Sequence, residues 1–375
     1  MDFEEAFNSF SGIPLSVVND ALCLFHADAD LILWYHNEKK TLKILDWMDE
    51  FFNEEQRSRI RLLPSRPPNF VMWIAQIFPR LSLEKTSCDF VYSRLFPHLP
   101  IKDKPVTLLR IDDPFGDQAS FWQNFIEDFR KGIGVKNSLA RSLRTKGMSK
   151  LTPTNTIKVF NSNWTLNLWN SIYRNVSARD LVIYPPVQFS IDDFFSKSKE
   201  ITNNPSKRPY FVFIGGQRQR KDPLSIINLW ASDLKKHNFD LVLIGDIPEH
   251  LMTENLRQAI FKGRFFILKN LSRNELRNTL ESSAGVVFNS KGEGFGNPIA
   301  EAIYLKQNLI CNDLEVFREV AGEYALYFQS GQSTQALRLL SDLSKSKQKR
   351  KSVKEAPNNY TISEAIERWQ FIHNP

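Results

Sequence analysis

The sequence predicts an α/β protein whose second half is a parallel sheet covered by helices on both faces. Three observations carry this. Short apolar, β-rich runs recur through the second half, stretches of helical period separate them, and glycines follow several of the runs. Strands buried on both faces read as unbroken apolar runs because no side of them meets water.

The elements follow in order. A strand over 210–214 ends at Gly215-Gly216, and a helix over 223–236 places Leu224, Ile227, Trp230 and Leu234 on one face. A strand over 240–244, a helix over 254–261, a strand over 264–268 and a helix over 273–282 come next. A strand over 285–288, a helix over 298–305 and a strand over 308–311 complete the alternation. The first half is less regular. It predicts a helix over 15–25 and strands over 30–35, 90–92, 106–110 and 156–160, with no legible strand before Gly12. Asn161-Ser162-Asn163 caps a helix that begins near Trp164. The apolar stretch 181–187 ends this unit, and the polar stretch 190–207, with Pro205, reads as a linker.

The 375 residues suffice for two domains, and 42% hydrophobic with 24% charged residues is the composition of a globular protein. Lys and Arg exceed Asp and Glu by 49 to 42, which permits nucleic acid, anionic lipid or phosphorylated small molecules as partners. The 29 Phe and 8 Trp read as core, or in part as an exposed acceptor groove or membrane-facing patch. Cys23, Cys88 and Cys311 show no CxxC spacing and read as thiols of a reducing compartment. The start lacks a basic and an apolar segment, so no signal peptide is expected, and no run is long enough to span a bilayer. A cytoplasmic protein is expected, with any membrane contact peripheral. The basic stretches 57–66 and 131–150 predict weak, salt-sensitive attachment to anionic membranes. The lysine-rich run 345–354 reads as a solvated surface.

Two segments carry the chemistry. In 289–302 a strand runs into a loop with Gly292, Gly294 and Gly296, and the loop into a helix that Asn297 caps and Pro298 opens. Such a helix start attracts anions, and Glu293 with Glu301 can accept hydrogen bonds from the hydroxyls of one ligand. A dinucleotide fingerprint would need glycine where Asn297 stands, and no GxxxxGK[ST] loop occurs. A purely structural strand–turn–helix remains open on the glycines alone. The second segment, 213–222, follows another strand with Gly215 and Gly216 and sets Arg218, Arg220 and Lys221 just before a helix. Ligands of parallel sheets bind beyond the carboxyl ends of the strands, so both segments can meet one diphosphate. Asp28-Ala29-Asp30 has the spacing of a metal-holding pair but precedes a strand, and reads as a surface turn. The histidines are scattered, and no GxSxG elbow occurs.

These residues resemble the glycosyltransferase family 4 enzymes, retaining transferases of GT-B architecture. The likeness runs from about 181 to 328: Gly215 with Arg220-Lys221, Leu243-Ile244-Gly245, Leu271-Ser272 with Glu275-Leu276, Glu293 with Glu301, Asn312-Asp313, and 317–328. It is thinner earlier, at 110–114, at 161–165 and at the 184–187 hinge. Family members usually open with a strand and a glycine-rich loop, for which Ser11-Gly12-Ile13-Pro14 stands here; where many carry a histidine before an aspartate, this chain has Asp112-Asp113.

The resemblance implies two Rossmann-like domains facing across a cleft: an acceptor domain at 1–187, a nucleotide-sugar domain at 188–360, and a terminal helix at 361–375 packing back towards the first. It implies metal-independent transfer of a hexose from a nucleotide-diphospho sugar to a glycan or lipid-linked acceptor, in surface polysaccharide synthesis, with no cofactor. Arg220, Lys221 and Glu293 would be catalytic, the two cations on the diphosphate. Gly215, Gly216, Gly294, Phe295, Gly296 and Asn297 would hold phosphate and sugar, Glu301 the ribose, and Gly245, Leu268 and Leu271 the base. Gly12, Asp112 and Asp113 would lie on the acceptor side. A phosphorylase and an inactive sugar-nucleotide-binding partner are the competing readings. Nucleic-acid binding has only the basic balance and 57–61 behind it, with no RNP, KH or zinc pattern.

Overall fold

The computed structural model describes residues 12–35, 48–64, 89–93, 106–112, 156–174, 176–195, 205–216, 220–345, 357–358 and 360–373. The chain forms two compact units, Met1–Pro185 with Ser363–Pro375, and Pro186–Ile362.

In the first unit the helix Gly12–His26 leads to β1 (Leu31–Tyr35), and the short helix Glu54–Ser58 to β2 (Ile60–Pro64). β3 (Phe90–Ser93), β4 (Val106–Ile111), β5 (Thr156–Phe160), the helix Asn163–Tyr173 and β6 (Leu181–Val182) follow. β1 and β2 pair in parallel, and β3-β4-β5-β6 form a second parallel sheet in chain order. Helical spacing explains the first helix, since Val18, Ala21, Leu22 and Phe25 are all buried. Ser162 caps the helix Asn163–Tyr173 by accepting from the Thr165 amide, and Trp169 in that helix packs on Leu109, Ile111 and Phe160. β2 is absent from the sequence expectation. Its Ile60, Leu62 and Leu63 sit among arginines, which hide the apolar pattern.

The second unit holds β7 (Tyr210–Ile214), β8 (Asp240–Ile244), β9 (Phe265–Leu268), β10 (Gly285–Phe288), β11 (Leu309–Asn312) and β12 (Leu326–Phe328). They form one parallel sheet in the order β12-β11-β10-β7-β8-β9. Helices Leu224–Ala231, Glu254–Phe261, Arg273–Glu281, Asn297–Tyr304, Glu315–Ala321 and Ser333–Lys345 join or follow the strands. Phe211, Val212, Phe213, Leu241, Val242, Leu243, Val286 and Val287 are at most 1% exposed, so both sheet faces are covered. Leu224, Ile227 and Trp230 are buried on one core-facing side of their helix. Each such side chain contributes about 1.5–3 kcal/mol through burial.

Two expectations are corrected here. The expected linker 190–207 begins inside the helix Gln188–Phe194, whose Phe189, Ser190, Ile191 and Asp192 are buried. Asp192 pairs with Arg273 at 2.5 Å and Asp193 with Arg277 at 2.6 Å, so its acidic residues serve a helix interface that composition read as solvated chain. The helix start near 298 is capped by Gly296 at φ 96°, not by Asn297, and no side chain makes the cap hydrogen bond. Glycine fits because this left-handed conformation lets the loop turn sharply into the helix without a Cβ clash.

Candidate functional site

The strand order of the second unit reverses between β7 and β10: β8 and β9 extend to one side of β7, β10 to β12 to the other. Chains leaving adjacent strands at such a point diverge and open a crevice beyond the carboxyl ends. The loops after β7 and β10 are the two segments that the sequence singled out.

Those loops are stitched together. Lys221 and Ser290 form an antiparallel bridge, the Lys291 amide donates to the Arg220 carbonyl at 2.7 Å, and the Asp222 amide to the Asn289 carbonyl at 3.1 Å. The Ser290 hydroxyl donates to the Glu293 carboxylate at 3.1 Å and contacts the carbonyls of Arg220 and Gly292. From below, the Asn312 amide group at the end of β11 donates to the Ser290 carbonyl at 2.8 Å, and its oxygen accepts from the Ser290 amide at 3.0 Å. Asn289 donates to the Asp222 carbonyl and to Ser225, fixing the start of the helix Leu224–Ala231.

The Lys221 side chain folds back over the glycine turn. Its Nζ lies 5.1 Å from the Phe288 ring centroid and 2.6 Å from the position that a Cβ on Gly215 would take. The cation thus covers an aromatic face that favours positive charge. Gly245 shows why this edge needs glycine: at φ 146° its Cβ would stand 2.3 Å from the Gly216 nitrogen. The Gly215 amide donates to Ile244 and the Gly245 amide to Leu268, so β7, β8 and β9 end in one bonded row. Leu268 closes β9, and Leu271 lies half-buried just before the capping Ser272.

Glu301 reaches the same place from the helix Asn297–Tyr304. Burial raises its pKa to about 7, and nearby Lys221 only partly offsets that. Desolvation therefore outweighs the cation, and the carboxyl group takes up a proton near neutrality. Glu293 is half-buried in the loop, Gly294, Phe295 and Gly296 are buried, and Asn297 and the Arg220 side chain are exposed. The positive dipole end of the helix points into this crevice with Lys221. Cation, helix start and two carboxylates together can hold a diphosphate and several hydroxyls.

The residues expected on the acceptor side lie in the first unit. Asp112 follows β4, its carboxylate accepting from Arg110 Nε at 3.0 Å and its carbonyl from the Asn161 amide group at 2.8 Å. Gly12 is the first residue of the helix Gly12–His26, so 12–14 starts a helix instead of the glycine-rich loop that the segment stands in for. Asp113 lies outside the described residues. Asp28 and Asp30 occupy an exposed turn and both pair with Arg59 at 2.8 Å. Arg57 pairs with Asp49 at 2.7 Å, so two cations of the 57–66 stretch face acids; 131–150 lies outside the described residues.

Beneath Asp112 is a buried charge cluster. Arg110 Nη1 lies 3.7 Å from Asp20, whose other oxygen accepts from the Tyr92 hydroxyl at 2.5 Å. Burial opposes the Arg110 charge, but Asp20 and Asp112 outweigh it and raise its pKa. Sequence reasoning gave no role to Phe288, Asn289, Ser290 or Asn312. The signal for Asn289, Ser290 and Asn312 was polar residues at or just past the carboxyl ends of apolar strands, where a crevice opens; Phe288 is one more apolar residue of its strand.

Residues 194–359 match the family described as glycosyl transferases group 1. A serotype-specific mannosyltransferase WbdA of Escherichia coli is 32% identical over 127 residues, covering 32% of this chain and 15% of that protein. The O-antigen chain mannosyltransferase RfbU of Salmonella typhimurium is 28% identical over 162 residues, 41% of each chain. The match thus spans less than a fifth of that WbdA and under half of RfbU. Among solved structures, a glycosyltransferase from Rickettsia africae superposes with TM-score 0.61 at 16% identity, covering 97% of this chain and 96% of that one. That likeness shows the fold, a GT-B architecture of two Rossmann-like units.

Proposed function

We propose, from the premise that residues 194–359 belong to the glycosyl transferases group 1 family, that this protein is a retaining, metal-independent glycosyltransferase. It moves a hexose from a nucleotide-diphospho sugar to a glycan or lipid-linked acceptor. The relatives named as mannosyltransferases make mannose the first sugar to test and surface polysaccharide synthesis the setting. No described helix is long and apolar enough to cross a membrane; we read the protein as cytoplasmic, with any membrane contact peripheral.

One observation carries the reading: Lys221, Glu301 and the Ser290–Glu293 contact share the crevice where the sheet reverses. In this mechanism Lys221 and Arg220 meet the charge that grows on the leaving diphosphate. Glu293 and the 294–297 turn hold sugar hydroxyls and phosphate, and Glu301 holds the ribose. The base lies over Gly245, Leu268 and Leu271. Catalysis is leaving-group stabilisation with the acceptor hydroxyl held in place.

A thermal-shift series with nucleoside diphosphates and EDTA tests this. A ligand at a hundred times its Kd stabilises by about 2.7 kcal/mol. Stabilisation that requires added Mn²⁺ or Mg²⁺ would sink the metal-independent mechanism.

A further inference from the structure

The end of the second unit's sheet opposite the crevice, where β7, β8 and β9 begin, carries charge and an apolar residue that the transfer reaction does not use. Lys207 and Arg208 precede β7, Lys235 and Lys236 precede β8, and Lys262 precedes β9; all five are exposed. These strands are neighbours, so their starts span about 10 Å at the usual 4.8 Å spacing.

Hydrogen bonds tie these turns together. Arg264 donates to the carbonyls of His237 and Phe239 at 2.8 Å and of Leu234 at 3.4 Å, tying the segment before β9 to the turn before β8. Ser344 bonds Asn238 at 2.8 Å, which brings exposed Lys345 to the same turn. The acids do not balance this charge. Asp240 is buried and engaged by Arg264, Ser206 and, at 3.7 Å, Arg208; Asp233 is paired with Lys236 at 2.7 Å; and Asp342 is exposed, while Lys207, Lys235, Lys262 and Lys345 pair with no acid among the described residues.

Phe261 stands among these cations. It ends the helix Glu254–Phe261 and is 91% exposed, beside Ile260 at 41%, while Leu256 and Ala259 of the same helix face the core. A lone exposed aliphatic residue needs no explanation, but an almost bare phenyl ring next to Lys262 in a basic rim has the form of an interfacial anchor. Lysines suit a diffuse anionic surface because they act as point charges, without the fixed forks of arginine.

We propose that this edge of the second unit is a docking surface for an anionic lipid bilayer, with Phe261 entering the headgroup region and the lysines facing the lipid charge. The inference is independent of the transfer reaction proposed above. It also moves the expected membrane contact away from the 57–66 stretch.

Sedimentation of the full chain with phosphatidylcholine vesicles, with and without an equal part of phosphatidylglycerol, tests it. Binding should require the anionic lipid and vanish in 1 M salt, where the screening length is about 3 Å. K235Q/K262Q should weaken binding about thirtyfold, roughly fivefold per lysine. F261S should weaken it about tenfold, through lost apolar contact. All three positions are exposed, so unchanged melting temperature and circular dichroism establish that the variants fold. Undiminished binding of both variants overturns the inference, as does equal binding to neutral vesicles. So does loss of binding only in R61E, or capture of a single-stranded oligonucleotide in preference to vesicles.

Discussion

The two units place charge at the carboxyl ends of their strands in opposite ways. In the first, Arg110 is enclosed between Asp20 and Asp112, with Tyr92 bonded to Asp20; the guanidinium is 0% exposed. Asp20 and Asp112 flank the cation and match its charge, although its Nη1 and Nη2 make no hydrogen bond among the described residues. In the second, Lys221 and Glu301 meet at a crevice, and burial still drives the carboxyl pKa to about 7. One cluster is matched in charge by its own acids. In the other, desolvation of Glu301 exceeds what Lys221 offsets. A buried charge that is already matched holds a fold, whereas a poorly matched one marks a place for a ligand.

The sharpest way to break this comparison is Arg110→Met. Removing one partner of a buried ion pair leaves uncompensated carboxylates and should cost about 3–5 kcal/mol of stability. Urea unfolding followed by a probe in each unit checks it, because two units need not unfold as one. A near-neutral result would mean that the first cluster is no more structural than the second.

Lys221→Ala should leave the fold intact and lower turnover about 100- to 1000-fold, roughly 3–4 kcal/mol of transition-state stabilisation. Steady-state kinetics with the cognate donor decide this. Wild-type turnover would remove the phosphate role of the Gly215–Lys221 loop, and with it most of the proposed mechanism.

Glu301→Gln sharpens the contrast through pH. A carboxyl group whose folded pKa exceeds its unfolded value binds more protons when folded, so stability falls as pH rises from about 4.5 to about 7 and is flat above. The glutamine variant should lack that slope and be more stable at neutral pH by about 2 kcal/mol. It should also show a smaller thermal shift with nucleotide and a raised donor KM, since uniform binding is lost. Melting curves at several pH values, with and without nucleotide, read all three effects. An unchanged pH slope would show that Glu301 is already well matched.

The smallest effect concerns support behind the crevice. Tyr304, one turn beyond Glu301, donates to Asp193 at 2.7 Å, and Arg277 pairs with that carboxylate. Tyr304→Phe deletes one hydrogen bond and should cost about 1 kcal/mol, seen as a modest fall in melting temperature. Donor KM unchanged alongside it would mean that this bond holds the helix without setting Glu301.

Most of the second unit was legible because its strands are buried on both faces. Apolar runs such as Phe211-Val212-Phe213 and Leu241-Val242-Leu243 can be little else between amphipathic segments. The glycines were legible because close backbone approach restricts residue type, and the place of Lys221 because its loop follows an apolar strand. Ser290 and Asn312 were not, since their role lies in a tertiary contact between strands 22 residues apart in the chain. Gln188–Phe194 was misread for a similar reason: its aspartates look solvated until Arg273, Arg277 and Tyr304 are placed beside them. β2 was lost because arginines interrupt an otherwise apolar run.

The strand order also sets when the crevice can exist during synthesis. β7, β8 and β9 emerge consecutively and pair in that sequence, so a nascent chain through Leu268 already holds half of the sheet. It has no second wall, because Ser290 and Glu301 are not yet made. Only when β10 turns back to the far side of β7 does the Lys221–Ser290 bridge close. Fragments ending before β10 should therefore fold around β7–β9 without gripping nucleotide, and a pause in translation there would leave Lys221 waiting for its partners.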